Sequence, residues 1–441
     1  VRSFTVLDGR TGEIKFRFPV QGVYPRYSAP AVADVDGDGM AELFLVGRAN
    51  PSSSRHAKIF CYKFNGTTFT ETWASDERNG YHEFHALVNP SIADFNGDGR
   101  PEVYTYNRIF DSFTGRMLAE GGPTNNRGYI DYAIHQNGTI AADVLPDDHC
   151  PNCDGLELVA GDQVFAVNVV DGTMTVVQDG ADDWDGYTGI ADFDLDGDPD
   201  AFIGSADGQG SKYIVWDIQT DEYLTTTYRP PVQGYPKFNV IPAVGDVHGD
   251  ARPELIATTK SVGFGENAVR VLQWNNGQWD QVYKNLTDDF SGMAGCSLFD
   301  IDGNGKAEIL YRDHSTFRVI DVERETHLIE LPCQSQTYWE YPTVADADGD
   351  GETEILCSCD EQLMSLSSRA NRWMKSRPVW NQYQYHATNI NDDLTVPTEP
   401  QRTYLEQVLD LNAHLRQYAI PEPPRPDATI TFENVDCDVD A

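Results

Sequence analysis

The sequence has few basic residues and no long apolar run. It contains 32 Lys and Arg against 70 Asp and Glu, which gives a formal net charge of −38. A surface of this sign repels phosphate backbones, so nucleic-acid binding through a basic face is excluded. No apolar stretch reaches the roughly 18 residues that a membrane-spanning helix needs. The sequence also lacks a nucleophile elbow, a phosphate-binding glycine loop and a dinucleotide fingerprint, so no catalytic or cofactor-binding residue is predicted.

One nine-residue acidic pattern recurs along the chain, and residues 346–354 (DADGDGETE) are a regular copy. Its alternating carboxylates repel one another strongly unless a hard cation lies among them. Calcium takes about six to eight oxygens, and this loop supplies side chains at positions 1, 3, 5 and 9. We interpret Glu352, at position 7, as the donor of a backbone carbonyl. The pattern therefore predicts a calcium site.

Six good copies predict about six calcium ions per chain. Their candidate ligands are Asp34, Asp36, Asp38, Met40, Glu42, Asp94, Asn96, Asp98, Arg100, Glu102, Asp192, Asp194, Asp196, Asp198, Asp200, Asp246, His248, Asp250, Arg252, Glu254, Asp300, Asp302, Asn304, Lys306, Glu308, Asp346, Asp348, Asp350, Glu352 and Glu354. A seventh copy, residues 143–157, is stretched by an insertion. His248 also departs from the pattern, because imidazole is a poor calcium ligand.

Short apolar runs flank each loop and predict a four-stranded unit. In the first unit these runs are residues 30–33 and 43–46, and the turn Asn65-Gly66 then joins two further β-rich segments. The units repeat every 46 to 60 residues, which predicts the blades of an all-β propeller. Seven loops favour seven blades, while the hairpin of residues 3–18 could be half of an eighth. We expect this hairpin to pair near the last blade.

The acidic loop inside a four-strand unit resembles the FG-GAP/VCBS repeat family, which includes integrin α heads and many secreted bacterial proteins. The resemblance covers residues 1–375. It implies a calcium-binding propeller, secreted or on the cell surface, that mediates adhesion or recognition of a carbohydrate or protein ligand. Residues 377–382 (RPVWNQ), followed by His386 and residues 389–393, look like the segment that closes such propellers in large bacterial surface proteins.

The pattern changes after residue 375. Residues 376–420 predict a segment that closes the propeller and contains a helix over 402–418, where the apolar spacing is partly helical. Residues 421–441 predict a proline-rich linker and the first strand of a further β module. We therefore expect further domains of the same polypeptide, and the start at Val1 favours a processed or trimmed N-terminus.

Two other functions stay open beside recognition. Some polysaccharide lyases resemble this family, but such chemistry needs a base facing the same groove as the metal. A structural subunit of a surface filament or secretion-linked assembly would suit the proline-rich linker. The acidic residues could also be ordinary turn formers, although their recurrence argues against this. Trp380, Tyr383 and Tyr385 could stack on sugar rings or pack against the propeller face.

Eight cysteines are spread unevenly along the chain. Cys150 and Cys153 alone have the spacing of a zinc-ligand pair, and a structural zinc site would need a second pair. In a secreted context this pair favours a small disulfide-closed loop over free thiols or a metal. Cys296 could pair with Cys333, but spacing alone leaves the connectivity open.

Overall fold

The structure is a computed structural model. It describes residues 3–20, 29–48, 57–75, 89–121, 138–180, 185–207, 210–224, 243–259, 266–289, 294–337, 340–360, 362–369 and 372–402. The helix predicted from Arg402 onward, the proline-rich linker and the further β module therefore fall outside the described residues. Across those ranges, no helix has the length and apolar character that crossing a bilayer would require.

Within these ranges the fold is all-β, and it is a seven-bladed β-propeller with an N-terminal hairpin. The hairpin consists of β1 Ser3–Leu7 and β2 Ile14–Pro19. The strands of the blades, in chain order, are β3 Ala31–Ala33, β4 Glu42–Arg48, β5 Ala57–Phe64 and β6 Phe69–Ala74 in blade 1; β7 Ser91–Ala93, β8 Glu102–Thr105, β9 Arg108–Asp111 and β10 Met117–Glu120 in blade 2; β11 Ile140–Ala142, β12 Glu157–Ala160, β13 Gln163–Asn168 and β14 Thr173–Asp179 in blade 3; β15 Tyr187–Ala191, β16 Asp200–Asp207, β17 Gly210–Asp217 and β18 Glu222–Tyr223 in blade 4; β19 Ala243–Gly245, β20 Glu254–Thr259, β21 Ala268–Asn275 and β22 Gln278–Leu286 in blade 5; β23 Cys296–Phe299, β24 Glu308–Arg312, β25 Thr316–Asp321 and β26 Thr326–Pro332 in blade 6; and β27 Thr343–Ala345, β28 Glu354–Cys359 and β29 Gln362–Ser367 in blade 7.

Each blade is an antiparallel meander in which an acidic loop joins the first strand to the second. The second strands are apolar and almost wholly buried, because neighbouring blades cover both of their faces; β20 is buried along its whole length. Phe193 and Phe202 of blade 4, for example, share a core with Leu255 of blade 5. This packing fixes the start of β20, and therefore the position of the acidic loop that precedes it.

The N-terminal hairpin lies at the junction between blades 7 and 1. Phe18 packs against Tyr62 and Phe69 of blade 1, with ring centroids 5.6 and 4.9 Å away. At the hairpin turn, the Arg10 Nε donates a hydrogen bond to the Asp348 carbonyl, 2.9 Å away, in the acidic loop of blade 7. The hairpin forms its own two-stranded sheet and adds no strand to blade 7. The described residues therefore hold seven blades, and the hairpin is not half of an eighth.

Residues 372–402, here called the closing segment, run across five blades. The backbone hydrogen bonds that attach it are Met374 N–H to the Ile301 carbonyl in blade 6, Asp346 N–H of blade 7 to the Arg377 carbonyl, Val32 N–H of blade 1 to the Asn381 carbonyl, and Asp34 N–H to the Leu394 carbonyl. Farther on, the Gln382 side chain accepts from the Ile92 N–H in blade 2, and Arg402 pairs with Asp143 in blade 3. The segment therefore fastens the last blades to the first.

The described residues form two disulfides, and the sequence predicted one of them. Cys150 and Cys153 are bonded, which confirms the predicted small loop. The pairing of Cys296 with Cys333, which the sequence left open, does not form: Cys333 bonds to Cys359, and Cys296 is a buried thiol. The reason is topological: Cys296 lies in the core between blades 5 and 6, whereas Cys333 lies in the core between blades 6 and 7.

Candidate metal centres

The first carboxylate of each regular loop folds the loop around itself. In blade 7, Asp346 accepts backbone N–H groups from Gly349, Asp350 and Gly351 at 2.8, 3.1 and 3.0 Å. Asp34 makes the same three bonds in blade 1. These charge-assisted bonds hold the position-1 carboxylate inside the turn.

The last carboxylate of every loop is held by the residue after position 1. One oxygen accepts that residue's backbone N–H in all seven blades: Glu42 from Val35, Glu102 from Phe95, Glu157 from Val144, Asp200 from Phe193, Glu254 from Val247, Glu308 from Ile301 and Glu354 from Ala347, at 2.8 to 3.1 Å. The second oxygen has a side-chain partner in two blades: that of Glu42 lies 3.0 Å from the Lys63 Nζ, and that of Glu254 accepts from the Gln273 amide at 2.9 Å.

In at least four of the six regular loops, the structure brings predicted ligands together in a group of three. Within each group one oxygen per side chain lies within 4.8 Å of the others; the groups are Asp34, Asp36 and Glu42, then Asp192, Asp194 and Asp200, then Asp246, Asp250 and Glu254, and then Asp300, Asp302 and Glu308. His248 is not in the blade 5 group, and its backbone N–H donates to Asp246 at 3.1 Å. Asp and Glu oxygens in such groups are the donors that calcium prefers.

The position-7 residues were predicted to offer backbone carbonyls. Their side chains are exposed or half-buried, and they are Met40, Arg100, Asp198, Arg252, Lys306 and Glu352. An outward side chain is compatible with a carbonyl donor, and that role stays a prediction.

Burial makes the position-9 carboxylates hard to ionise without a cation. Burial, together with the charge of neighbouring loop carboxylates, raises the pKa of Glu102, Glu157 and Glu254 to about 8 and that of Asp200 to about 9. A divalent ion in the loop would oppose both effects. The donor set therefore fits a hard cation.

These pKa shifts predict an unusual pH dependence of stability in protein from which a chelator has removed calcium. A carboxyl whose folded pKa is raised stabilises the fold below its unfolded pKa and loses that contribution as pH rises through the folded value. In EGTA, we expect the melting temperature to fall as pH rises from about 4.5 to about 8 because Glu102, Glu254 and their counterparts ionise in that window. With saturating calcium the fall should be largely abolished. Equal slopes with EGTA and with calcium would contradict this prediction.

Two loops place a side chain where the others have glycine. Leu195 and Ala251 both have a φ of 63°, in the left-handed region that costs a non-glycine residue about 1–2 kcal/mol. The five other regular loops have glycine at the position of Leu195, as at Gly349. Leu195 is 43% exposed, so removing its side chain sacrifices little packing.

We expect Leu195→Gly to stabilise the protein by about 0.5–1 kcal/mol, because relief of backbone strain exceeds the added entropy of the unfolded chain. Thermal melting of the calcium-saturated protein measures the gain. Leu195→Ala is the matched control, since it shortens the side chain without relieving the strain and should give no gain. An equal rise in both variants would show that φ is not the cause.

Cationic or amide side chains contact the carboxylates in some loops. In blade 1 the Lys63 Nζ lies 2.9 Å from Asp38 and 3.0 Å from Glu42, and it also contacts Asp36. In blade 5 the Gln273 amide donates to Asp250 and Glu254 at 2.7 and 2.9 Å.

In blade 6 the half-exposed Arg324 reaches Asp302 at 2.8 Å. The stretched loop of blade 3 pairs Asp143 with Arg402 at 2.6 Å. In the same loop Glu157 is fully buried, and one of its oxygens has no hydrogen-bond partner. Sequence reasoning missed Lys63, Gln273, Arg324 and Arg402 as loop partners.

Comparison with known proteins gives a family match and a fold likeness. Residues 34–105 and 246–311 match the family model of the FG-GAP-like repeat. A comparison with curated proteins found no match. Among solved structures, the V. cholerae biofilm matrix protein Bap1 is 14% identical over 89% of this chain and 85% of its own, with a TM-score of 0.59.

Two further solved structures are more distant. The exotype rhamnogalacturonan lyase YesX is 16% identical over 76% of this chain and 54% of its own, with a TM-score of 0.46. BamB from Moraxella catarrhalis is 13% identical over 82% of this chain and 90% of its own, with a TM-score of 0.45. At such identities the likeness concerns the fold. The chain therefore carries FG-GAP-like repeats within a seven-bladed β-propeller, as expected of an FG-GAP-like propeller.

Proposed function

We propose that this protein is an extracellular, calcium-stabilised β-propeller that serves as an adhesion or recognition module of a larger secreted or surface protein. Carboxylates converge in the acidic loops, and the last one of each group is buried; both features support calcium binding, because calcium would compensate the cost of that burial. The disulfides Cys150–Cys153 and Cys333–Cys359 support an oxidising compartment. The fold likeness to a biofilm matrix protein is compatible with this setting.

The observation that carries the recognition role is an aromatic cavity between the closing segment and blades 7 and 1. It has a volume of about 330 Å³, and its lining includes Tyr341, Trp380, Tyr383, Asn381, Gln382 and Glu340. Cavities of this size suit small ligands or a short saccharide. Aromatic faces can stack on sugar rings, while amide and carboxylate groups hydrogen-bond to hydroxyls.

The three aromatic residues singled out from the sequence divide between two roles. Tyr385 is 2% exposed and packs against Trp380, with ring centroids 4.7 Å apart, so it belongs to the core. Trp380 and Tyr383 are only half-buried and line the cavity. We therefore propose that Trp380 and Tyr383 contact the ligand.

A glycan and protein-ligand screen with calcium present tests this proposal. We expect Trp380→Ala to lower the affinity for the ligand at least about tenfold, or 1.4 kcal/mol of binding free energy, because a stacking face is lost. Phe113→Ala is the control, since Phe113 is a 37% exposed aromatic residue in a blade 2 turn, outside the cavity. A folded Trp380→Ala variant with wild-type affinity would refute the cavity as the ligand site.

The two alternatives from the sequence are tested separately. A calcium-dependent lyase would release unsaturated products from acidic polysaccharides, which ultraviolet absorbance detects. The base nearest to the blade 1 carboxylates, Lys63, is ion-paired with three of them and is thereby held as an ammonium. A filament subunit would form regular polymers of the purified protein in electron micrographs.

A further inference from the structure

The acidic loop of blade 1 already contains a positive charge from the chain itself. Lys63 lies on β5, and its Nζ contacts Asp36, Asp38 and Glu42, the carboxylates at positions 3, 5 and 9. An ammonium has three N–H donors, and here three carboxylates surround it. Glu42 is only 4% exposed. One of its oxygens accepts from the Val35 N–H, and the other lies 3.0 Å from the Lys63 Nζ.

Strand register explains why this lysine reaches the loop. Leu43 pairs with Tyr62 across β4 and β5, which places Lys63 opposite Glu42, the position-9 carboxylate. The residues that the same register places opposite position 9 in blades 2 to 7 are Asp111, Ala166, Asp217, Gln273, Asp321 and Ser367. Blade 1 alone has a cation at this position.

We propose that the Lys63 ammonium occupies the cation position of the blade 1 loop in place of a calcium ion. A calcium ion held by Asp36 and Glu42 would lie close to the ammonium, and two like charges in one oxygen cage repel each other. The sequence pattern of residues 34–42 thus predicts a metal ligand set, but the set is neutralised from within the fold. Blade 1 should therefore keep its loop folded at any calcium concentration.

Because of the position of blade 1 in the ring, the replacement of a calcium ion by Lys63 has a structural consequence. Blade 1 contacts both the N-terminal hairpin and the closing segment: Phe18 of the hairpin packs on Tyr62, and the Asp34 N–H donates to the Leu394 carbonyl. Asp34 is the first residue of the lysine-filled loop. The contacts of blade 1 with the hairpin and the closing segment would therefore persist when calcium is removed from the other blades.

Calcium stoichiometry tests the proposal, and in this measurement the proposal rests on calcium binding by the other loops. Lys63→Ser introduces the residue that blade 7 has at the same position, and we expect it to bind one more calcium ion per chain than the wild type. Asp36→Asn in the wild type should leave the stoichiometry unchanged, whereas Asp194→Asn in blade 4 should lower it by one ion. Lys284→Ser, which removes a half-exposed lysine paired with Glu266, is the control and should bind as the wild type does.

Melting in EGTA separates this proposal from the calcium proposal. Lys63→Ser should melt several degrees below both the wild type and Lys284→Ser in EGTA, because the ammonium supports the loop without metal. Wild-type protein that binds no calcium would refute calcium stabilisation, and the EGTA result would then decide the role of Lys63. Loss of an ion in Asp36→Asn, or unchanged melting of Lys63→Ser in EGTA, would overturn the proposal.

Discussion

EGTA is expected to lower the melting temperature of the protein by an amount on the order of 10 °C. At a calcium concentration 100-fold above its dissociation constant, each site that is lost on unfolding contributes about 2.7 kcal/mol. Several such loops in one cooperative propeller add to a large effect, even though a chain of this length shifts by only about 1–2 °C per kcal/mol. Differential scanning calorimetry with calcium, with magnesium and with EGTA measures it.

A single loop can serve as the internal control for this experiment. Asp94 is 1% exposed and accepts backbone N–H groups from Asp98 and Gly99 at 3.2 and 2.8 Å. Asp94→Asn keeps an acceptor for the turn but loses the negative charge. If Asp94 is a calcium ligand, this variant binds one ion fewer and gains less stability from calcium. Wild-type calcium binding by Asp94→Asn would favour the turn-former interpretation.

Arg377→Met is expected to destabilise the protein by about 3 kcal/mol or more. The Arg377 side chain is 5% exposed, donates to Asp392 at 2.7 Å, and also contacts the carbonyls of Ala387 and Ile390. Removing the guanidinium leaves these buried carbonyls without their donor, and bonds to a charged group contribute about 1.5–3 kcal/mol each. Methionine keeps an unbranched side chain, so the loss reports the polar contacts.

Thermal melting and hydrogen exchange locate the effect of Arg377→Met. Faster exchange is expected in the closing segment and at Val32 and Asp346, whose N–H groups bond to carbonyls of that segment. Arg17→Met removes an exposed arginine of the hairpin and should change stability by less than about 0.5 kcal/mol. Equal stability of the two variants would show that the closing segment does not depend on Arg377.

The propeller was predictable because its signals are local and repeated. A loop such as residues 346–354 contains its own ligands and turn glycines, and its flanking apolar runs become the first two strands of the blade. Seven repetitions supply the blade count directly. The hairpin turn at Asn65-Gly66 likewise predicts the pairing of β5 with β6.

The partners of the loops were not predictable in the same way, because they come from other strands and blades. Lys63 meets Glu42 through the register of β4 and β5, and Arg402 meets Asp143 across more than half of the chain. One signal was nevertheless present. Lys63 precedes the Asn65-Gly66 turn, where blades 2, 4 and 6 place an aspartate, so aligning the units by their third strands would have exposed the change of sign.

The disulfide of Cys333 shows the same limit. Whether it pairs with Cys296 or Cys359 depends on which face of blade 6 each sulfur occupies, and spacing does not encode the face. A closing segment was predicted from the sequence, but its contact with blade 3 depends on the tertiary pairing of Arg402 with Asp143.

The account depends above all on divalent ions in the acidic loops, and anomalous diffraction from crystals grown in calcium tests this directly. The account predicts peaks roughly 2.3–2.6 Å from carboxylate oxygens of Asp94, Asp192, Asp300 and Asp346, and no peak beside Lys63. Well-ordered loops without any anomalous peak, in crystals saturated with calcium, would contradict it.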